Sequence, residues 1–120
     1  MKQAALSSAS NEQLVKLFAE AAITHKELRT AKEANRAFDE AVAIAKELKR
    51  RGNGALALLI ALFESPNPAI RMSAAGLLLP TVPEQAESVL EQLTEQPRLL
   101  GLSAKMTLRE WRAGRLKSLI

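Results

Sequence analysis

The stretch "SPNPAIRMSAAGLLLP", residues 65–80, sets two prolines two positions apart and then opens an apolar run. Proline has no N–H to donate, and its ring clashes with the turn before it, so Pro66 ends any helix that runs into it. Asn67 is a good N-cap. Pro68 suits the first position of a new helix, where the N–H would be unpaired anyway. A tight helix–helix corner follows, with "AIRMSAAGLLL" as the returning helix and Pro80 as its stop.

The rest of the chain reads as helices joined by similar punctuation. Ser10 and Gln13 form a capping box, which predicts a helix from about Asn11 to His25 that buries Leu14, Val15, Leu17, Phe18, Ala21 and Ala22. Residues 1–9 before it read as a flexible tail. A longer helix is expected from Thr30 to Arg51, with Ala31, Ala34, Phe38, Ala41, Val42, Ala45 and Leu48 on one face. Lys49, Arg50 and Arg51 suit the negative end of its dipole, and Gly52 suits the residue after it. "GALALLIALFE" is apolar nearly all round, which predicts burial on several sides. A fifth helix begins at Pro83 and runs to about Glu95, with Ala86, Val89, Leu90 and Leu93 inward. A sixth runs from Pro97 to Gly114.

Composition narrows the function classes. A chain of 120 residues suits one domain and can bury roughly two-thirds of its unfolded surface without a staple. The absence of cysteine excludes disulfides and thiol nucleophiles and fits a cytoplasmic protein. The single histidine, His25, excludes histidine-rich metal sites and reads as a helix-end surface residue. No apolar run is long enough to cross a bilayer, and the first residues lack the pattern of a signal peptide. The net charge of +4 divides unevenly: residues 1–51 carry +3, residues 52–97 carry −4 and residues 98–120 carry +5.

Two helices carry the candidate sites. Glu84, Glu87, Glu91 and Glu95 follow at spacings of 3, 4 and 4, within a wedge of roughly 80° opposite the apolar side. Like charges at these spacings cost roughly a few tenths of a kcal/mol per pair. The ridge is either a solvated helix face or a docking surface for a basic protein. The last helix reverses the sign with Arg98, Lys105, Arg109, Arg112 and Arg115, and Lys117 lies beyond. These suit phosphate or an acidic protein, or else pair with the neighbouring glutamates. Nucleic-acid binding is the alternative function, although single-strand readers use exposed stacking aromatics and only Trp111 is near. Trp111 reads as a core anchor. Asn35, on the long helix beside Asp39, reads as a structural residue that bonds to a neighbouring element. A pocket converging on Asn35, Asp39 and Arg71 would suit an enzyme, but no acid, base and nucleophile cluster together in the sequence.

The segment "ALALLIALFESPNPAIRMSAAGLLL" resembles a HEAT repeat through Pro66, Asn67, Ile70, Arg71, Ala74 and Ala75. Small alanines allow close helix approach, and Arg71 is placed to reach back to the corner or to a neighbouring repeat. The wider chain is similar to the small bacterial family numbered twenty-nineteen among the domains of unknown function. "NRAFDEAVAIAKELKRRG", "SPNPAIRMSAA", "PEQAESVLEQL" and "AKMTLREWRAG" carry that likeness over most of residues 11–114. The resemblance implies a HEAT-like helical domain without catalytic residues. Some such small families sit beside secreted toxins and act as immunity proteins.

The expectation is an all-α protein. About six antiparallel helices form a short HEAT-like right-handed α-α superhelix, in one domain over residues 10–120. Its expected role is that of a non-enzymatic protein-binding module of the bacterial cytoplasm, of immunity type, with a basic partner such as a toxin. No cofactor, metal or membrane is expected. Apolar end faces leave self-association open.

Overall fold

In a computed structural model of the chain, residues 3–27 and 30–120 are described, with side chains for 6–24 and 30–120. The described residues form seven α-helices and one 3-10 turn, with no strand: α1 (Gln3–Ser8), α2 (Asn11–Glu27), α3 (Ala31–Arg51), α4 (Asn53–Ile60), the 3-10 turn Ala61–Glu64, α5 (Pro68–Leu78), α6 (Pro83–Leu93) and α7 (Arg98–Arg112). The protein is all-α. Where one domain is expected over residues 10–120, the contacts gather into two compact units. One runs to Ala61 and includes Ile120, and the other is Leu62–Leu119.

In the first unit, α3 packs mainly on α2, then on α4 and α1. The capping box forms in full. Ser10 Oγ accepts from the Gln13 N–H at 3.1 Å, and Gln13 Oε1 accepts from the Ser10 N–H at 2.8 Å. Leu14, Phe18, Ala21 and Ala22 of α2 are buried. Thr30 caps α3 by accepting from the Glu33 N–H at 3.0 Å. The buried seam of α3 is Ala34, Ala37, Ala41, Ile44, Ala45, Glu47 and Leu48. It therefore differs from the expected stripe. Phe38 is exposed, as is Ala31, while Ala37 and Ile44 turn inward. Ala37 and Ala21 line the same concavity between α2 and α3, where small side chains allow close approach and a phenyl ring would hold the helices apart.

Residues 1–9, expected as a tail, contain α1, whose Leu6 is buried. α2 also runs past His25 to Glu27, and the His25 side chain lies outside the described residues. Gly52 ends α3 and begins α4 with φ at 113°, a conformation open to glycine and costly to residues with a Cβ. The burial on several sides expected for "GALALLIALFE" is only partial. Ala55, Leu59 and Phe63 are buried, Leu58 is exposed, and the helix tightens into the 3-10 turn before Pro66.

In the second unit, α6 packs on both α5 and α7, and α5 also touches α7. The corner forms as its residues dictate. Asn67 Oδ1 accepts from the Ala69 N–H at 2.9 Å, and Arg71 reaches back to donate to the Ser65 carbonyl at 2.6 Å. Ala74, Ala75, Leu78, Leu79, Ala86, Leu90, Leu93 and Ala104 have no exposed surface and form the core. α7 closes at Gly114, which has φ at 74°. Its N–H donates to the Trp111 carbonyl and that of Arg115 to the Glu110 carbonyl, the two bonds of a Schellman motif.

Candidate protein-docking face on the last two helices

The carboxylates of α6 do not form a uniform free ridge. Ala86, Leu90 and Leu93 face the core, which leaves Glu84, Glu91 and Glu95 exposed and Glu87 half-buried. α7 then supplies cations and a donor to the centre of the row. The Trp111 indole N–H donates to Glu87 Oε1 at 2.8 Å. The Arg112 guanidinium pairs with Glu91 and lies 3.5 Å from Glu87 Oε2. Among the described residues Glu84 and Glu95 have no ion-pair partner.

Trp111 is accordingly not a core anchor. It is half-buried, with its N–H on a carboxylate. The spacing of Glu87 and Glu91 from the sequence could not show this, because the partners lie 24 and 21 residues further on.

The basic row of α7 divides in the same way. Arg112 is held by Glu91. Arg115 donates from Nε to Glu110 Oε2 at 3.1 Å and Oε1 at 3.2 Å. The hydrogen bonds from Arg115 lower the Glu110 pKa and raise that of Arg115. Arg98, Lys105 and Arg109 are exposed, and among the described residues none lies within ion-pair distance of a carboxylate, although the Arg109 charge helps to lower the Glu110 pKa. Arg98 also has φ at 61°, in the left-handed region that costs a side-chain-bearing residue about 1–2 kcal/mol.

Beside these cations α7 carries a feature that the sequence reading missed. Leu99, Leu102 and Met106 are 61%, 51% and 53% exposed. Their spacing of 3 and 4 places them within a wedge of about 60°, opposite the buried Gly101, Ala104 and Leu108. Lys105 and Arg109 run along one edge of this stripe, and Glu110 and Ser103 lie on the other. Single exposed leucines such as Leu58 are ordinary, whereas three in register form a continuous apolar strip. The signal was present in the sequence: α7 has apolar residues on two opposite faces, and one helix cannot bury both against one unit.

Other candidates bring no chemistry together. Asn35 is exposed on α3 rather than bonded into a neighbouring element. It lines an open concavity of about 640 Å³ with Lys32, Arg36, Asp39, Glu40 and Ala43, all from the same helix. Arg71 belongs to the second unit and is bonded to the Ser65 carbonyl. Among the described residues no group of three or more acidic or histidine side chains could hold a metal ion. No described helix is long and apolar enough to cross a membrane.

A further cluster lies in the first unit. The Glu47 side chain has no exposed surface. It accepts from Arg50 Nε at 2.9 Å, from a second Arg50 nitrogen at 2.6 Å and from Arg51 Nε at 2.8 Å. Arg51 also donates to Asn11 Oδ1 at 2.9 Å and to the Leu6 carbonyl at 2.8 Å. The hydrogen bonds from Arg50, and then those from Arg51, lower the Glu47 pKa from its ordinary 4.5 to about 2. The cluster ties α1 and the start of α2 to the end of α3. The Glu47 carboxylate is enclosed and Arg51 bonds within the unit through Nε and both Nη atoms, so the cluster's role is structural.

The described residues form a small all-helical module with an exposed apolar strip on α7. The chain belongs to the family described as domain of unknown function (DUF2019), whose model matches residues 12–111. It is also similar to the protein RPA1889 from Rhodopseudomonas palustris CGA009, known from a crystal structure. The two share 30% identity and a TM-score of 0.83, over 93% of this chain and 96% of that one. No curated protein matches the chain.

Proposed function

We propose that this chain is a non-enzymatic protein-binding module that docks through α7. The observation that carries this reading is the strip Leu99, Leu102 and Met106, exposed in register beside the exposed cations Lys105 and Arg109. An apolar strip bordered by charge is the make-up of a binding patch, in which burial supplies affinity and charge supplies encounter rate and register. The most specific form of the proposal is a cytoplasmic immunity-type protein of bacteria that covers the active surface of a toxin. Its support is the family resemblance and the lack of any assembled reactive cluster. The HEAT-like reading of residues 55–79 belongs to the same proposal, supported by the Asn67 cap and the Arg71 bond to the corner.

The acidic ridge supports a second reading. Glu84 and Glu95 keep exposed, unpaired carboxylates for a basic partner, while Glu87 and Glu91 are already engaged. Nucleic-acid binding has less support, since two of its five proposed cations are held by Glu91 and Glu110 and an apolar strip lies beside the rest.

Affinity capture from the native cell lysate tests the proposal. Wild type is compared with L99S/L102S/M106S and with E84K/E95K. A specific protein lost with the serine variant is the expected result. Loss with the lysine variant alone would move the site to the ridge. Recovery of nucleic acid and no protein would overturn the binding-module reading.

A further inference from the structure

We infer that the partner element recognised by α7 is an amphipathic helix bearing carboxylates along one flank, an inference that rests on the protein-binding reading above. Leu99, Leu102 and Met106 recur at helical spacing, so a second helix laid along α7 can seat its own i, i+3 and i+7 apolar residues on them. Such a docking helix contacts the borders of the strip as well as its centre. On one border stand Lys105 and Arg109, exposed and without a salt bridge, with Arg98 at the head of the helix. On the other stand Ser103 and Glu110, and the Glu110 carboxylate is already held by Arg115. Arg109 acts on Glu110 only through space, behind Arg115, so the exposed excess charge is positive and lies on one side. A helix with glutamates or aspartates on the matching side would satisfy it.

A second copy of this chain fits the same strip poorly. In a two-fold antiparallel pairing of α7 with α7, each border faces its own copy, so Lys105 and Arg109 would lie against Lys105 and Arg109. In a two-fold parallel pairing the cationic border would meet Glu110, a single carboxylate that Arg115 already occupies. Like charges across an interface suppress a wrong partner. An anionic membrane could attract the cations, but the strip is short and the opposite face of α7 is committed to the core through Ala104 and Leu108.

The test uses the full chain and a fluorescein-labelled helical peptide with leucines at i, i+3 and i+7 and glutamates along one flank. Two control peptides carry lysine for glutamate, or the same residues permuted to destroy the apolar face. Fluorescence anisotropy should show saturable binding of the acidic peptide, about tenfold or more weaker for each control. L102S/M106S should weaken binding about tenfold or more, as expected when apolar anchors are lost. K105E/R109E should do the same and should gain affinity for the lysine peptide. All four positions are exposed, so circular dichroism should show both variants folded. The inference is overturned if the acidic peptide fails to bind, binds no better than its permuted control, or binds both variants as tightly as wild type. It is equally overturned if the chain dimerises through these residues in sedimentation, or if it binds phosphatidylglycerol vesicles or a DNA duplex but not the peptide. Capture of a protein through α7 with no peptide binding would overturn the helical occupant and leave the binding module standing.

Discussion

Glu47 shows how much one residue can differ from its sequence context. In "AKELKRR" it reads as a surface glutamate with i,i+3 and i,i+4 arginines, pairs that stabilise an isolated helix by about 0.2–0.5 kcal/mol. In the fold its carboxylate is fully enclosed, and Arg51 extends the cluster to Leu6 and Asn11. Removing one partner of such a cluster leaves the enclosed Glu47 carboxylate or the mostly covered Arg51 guanidinium short of hydrogen bonds, while the exposed Arg50 can turn to water. The pH dependence follows from the lowered pKa. Glu47 contributes stability that is fully present above its unfolded pKa near 4.5, and that stability is lost as pH falls through the folded value of about 2. E47Q should therefore lower Tm clearly at pH 7 and only slightly near pH 2. Thermal melts of wild type and variant across that range check this. A constant difference at all pH values would show that the charge of Glu47 is not what holds the cluster.

At the scale of elements, the legible features were those with partners three or four residues away. The Ser10–Gln13 box, the Thr30 and Asn67 caps and the Gly114 stop all form because their donors and acceptors lie within one turn. The α3 seam was less legible. Ala37 and Phe38 both continue a 3–4 spacing, and only the closeness of α2 decides that the smaller one turns inward. α1 was missed because six residues carry no periodicity, and Leu6 is held by a cluster 45 residues away. Gly101 belongs to the same class. A Cβ there would lie 2.0 Å from the Gln96 carbonyl oxygen and 3.0 Å from that of Thr94, both backbone atoms. Gly101→Ala should cost about 1–3 kcal/mol by forcing α7 away from the turn before it. Chemical denaturation measures it, and an unchanged midpoint would show that the turn yields freely. Gly76→Ala meets nothing within 4 Å and serves as the control.

For the molecule as a whole, the division of charge along the sequence has a physical outcome. The acidic stretch and the basic end meet at Glu87, Glu91, Trp111 and Arg112, so much of the opposition is resolved within the second unit. The four glutamates were legible as a row and the α7 cations as one option for their partners, but which carboxylates pair depends on how α7 lies on α6. Glu84 and Glu95 stay exposed on α6, and what remains on the outward face of α7 is positive and apolar together. That remainder is the basis of the proposed function. Its most direct test is a photo-cross-linking residue placed at Leu102, with a second version at Lys32 on the exposed side of α3 as control. In the native cell the account predicts one protein adduct from position 102 and none from position 32, with the cross-link mapping to a carboxylate-flanked helix in the partner. Equal adducts from both positions, or none from position 102, would contradict the claim that α7 is a docking face.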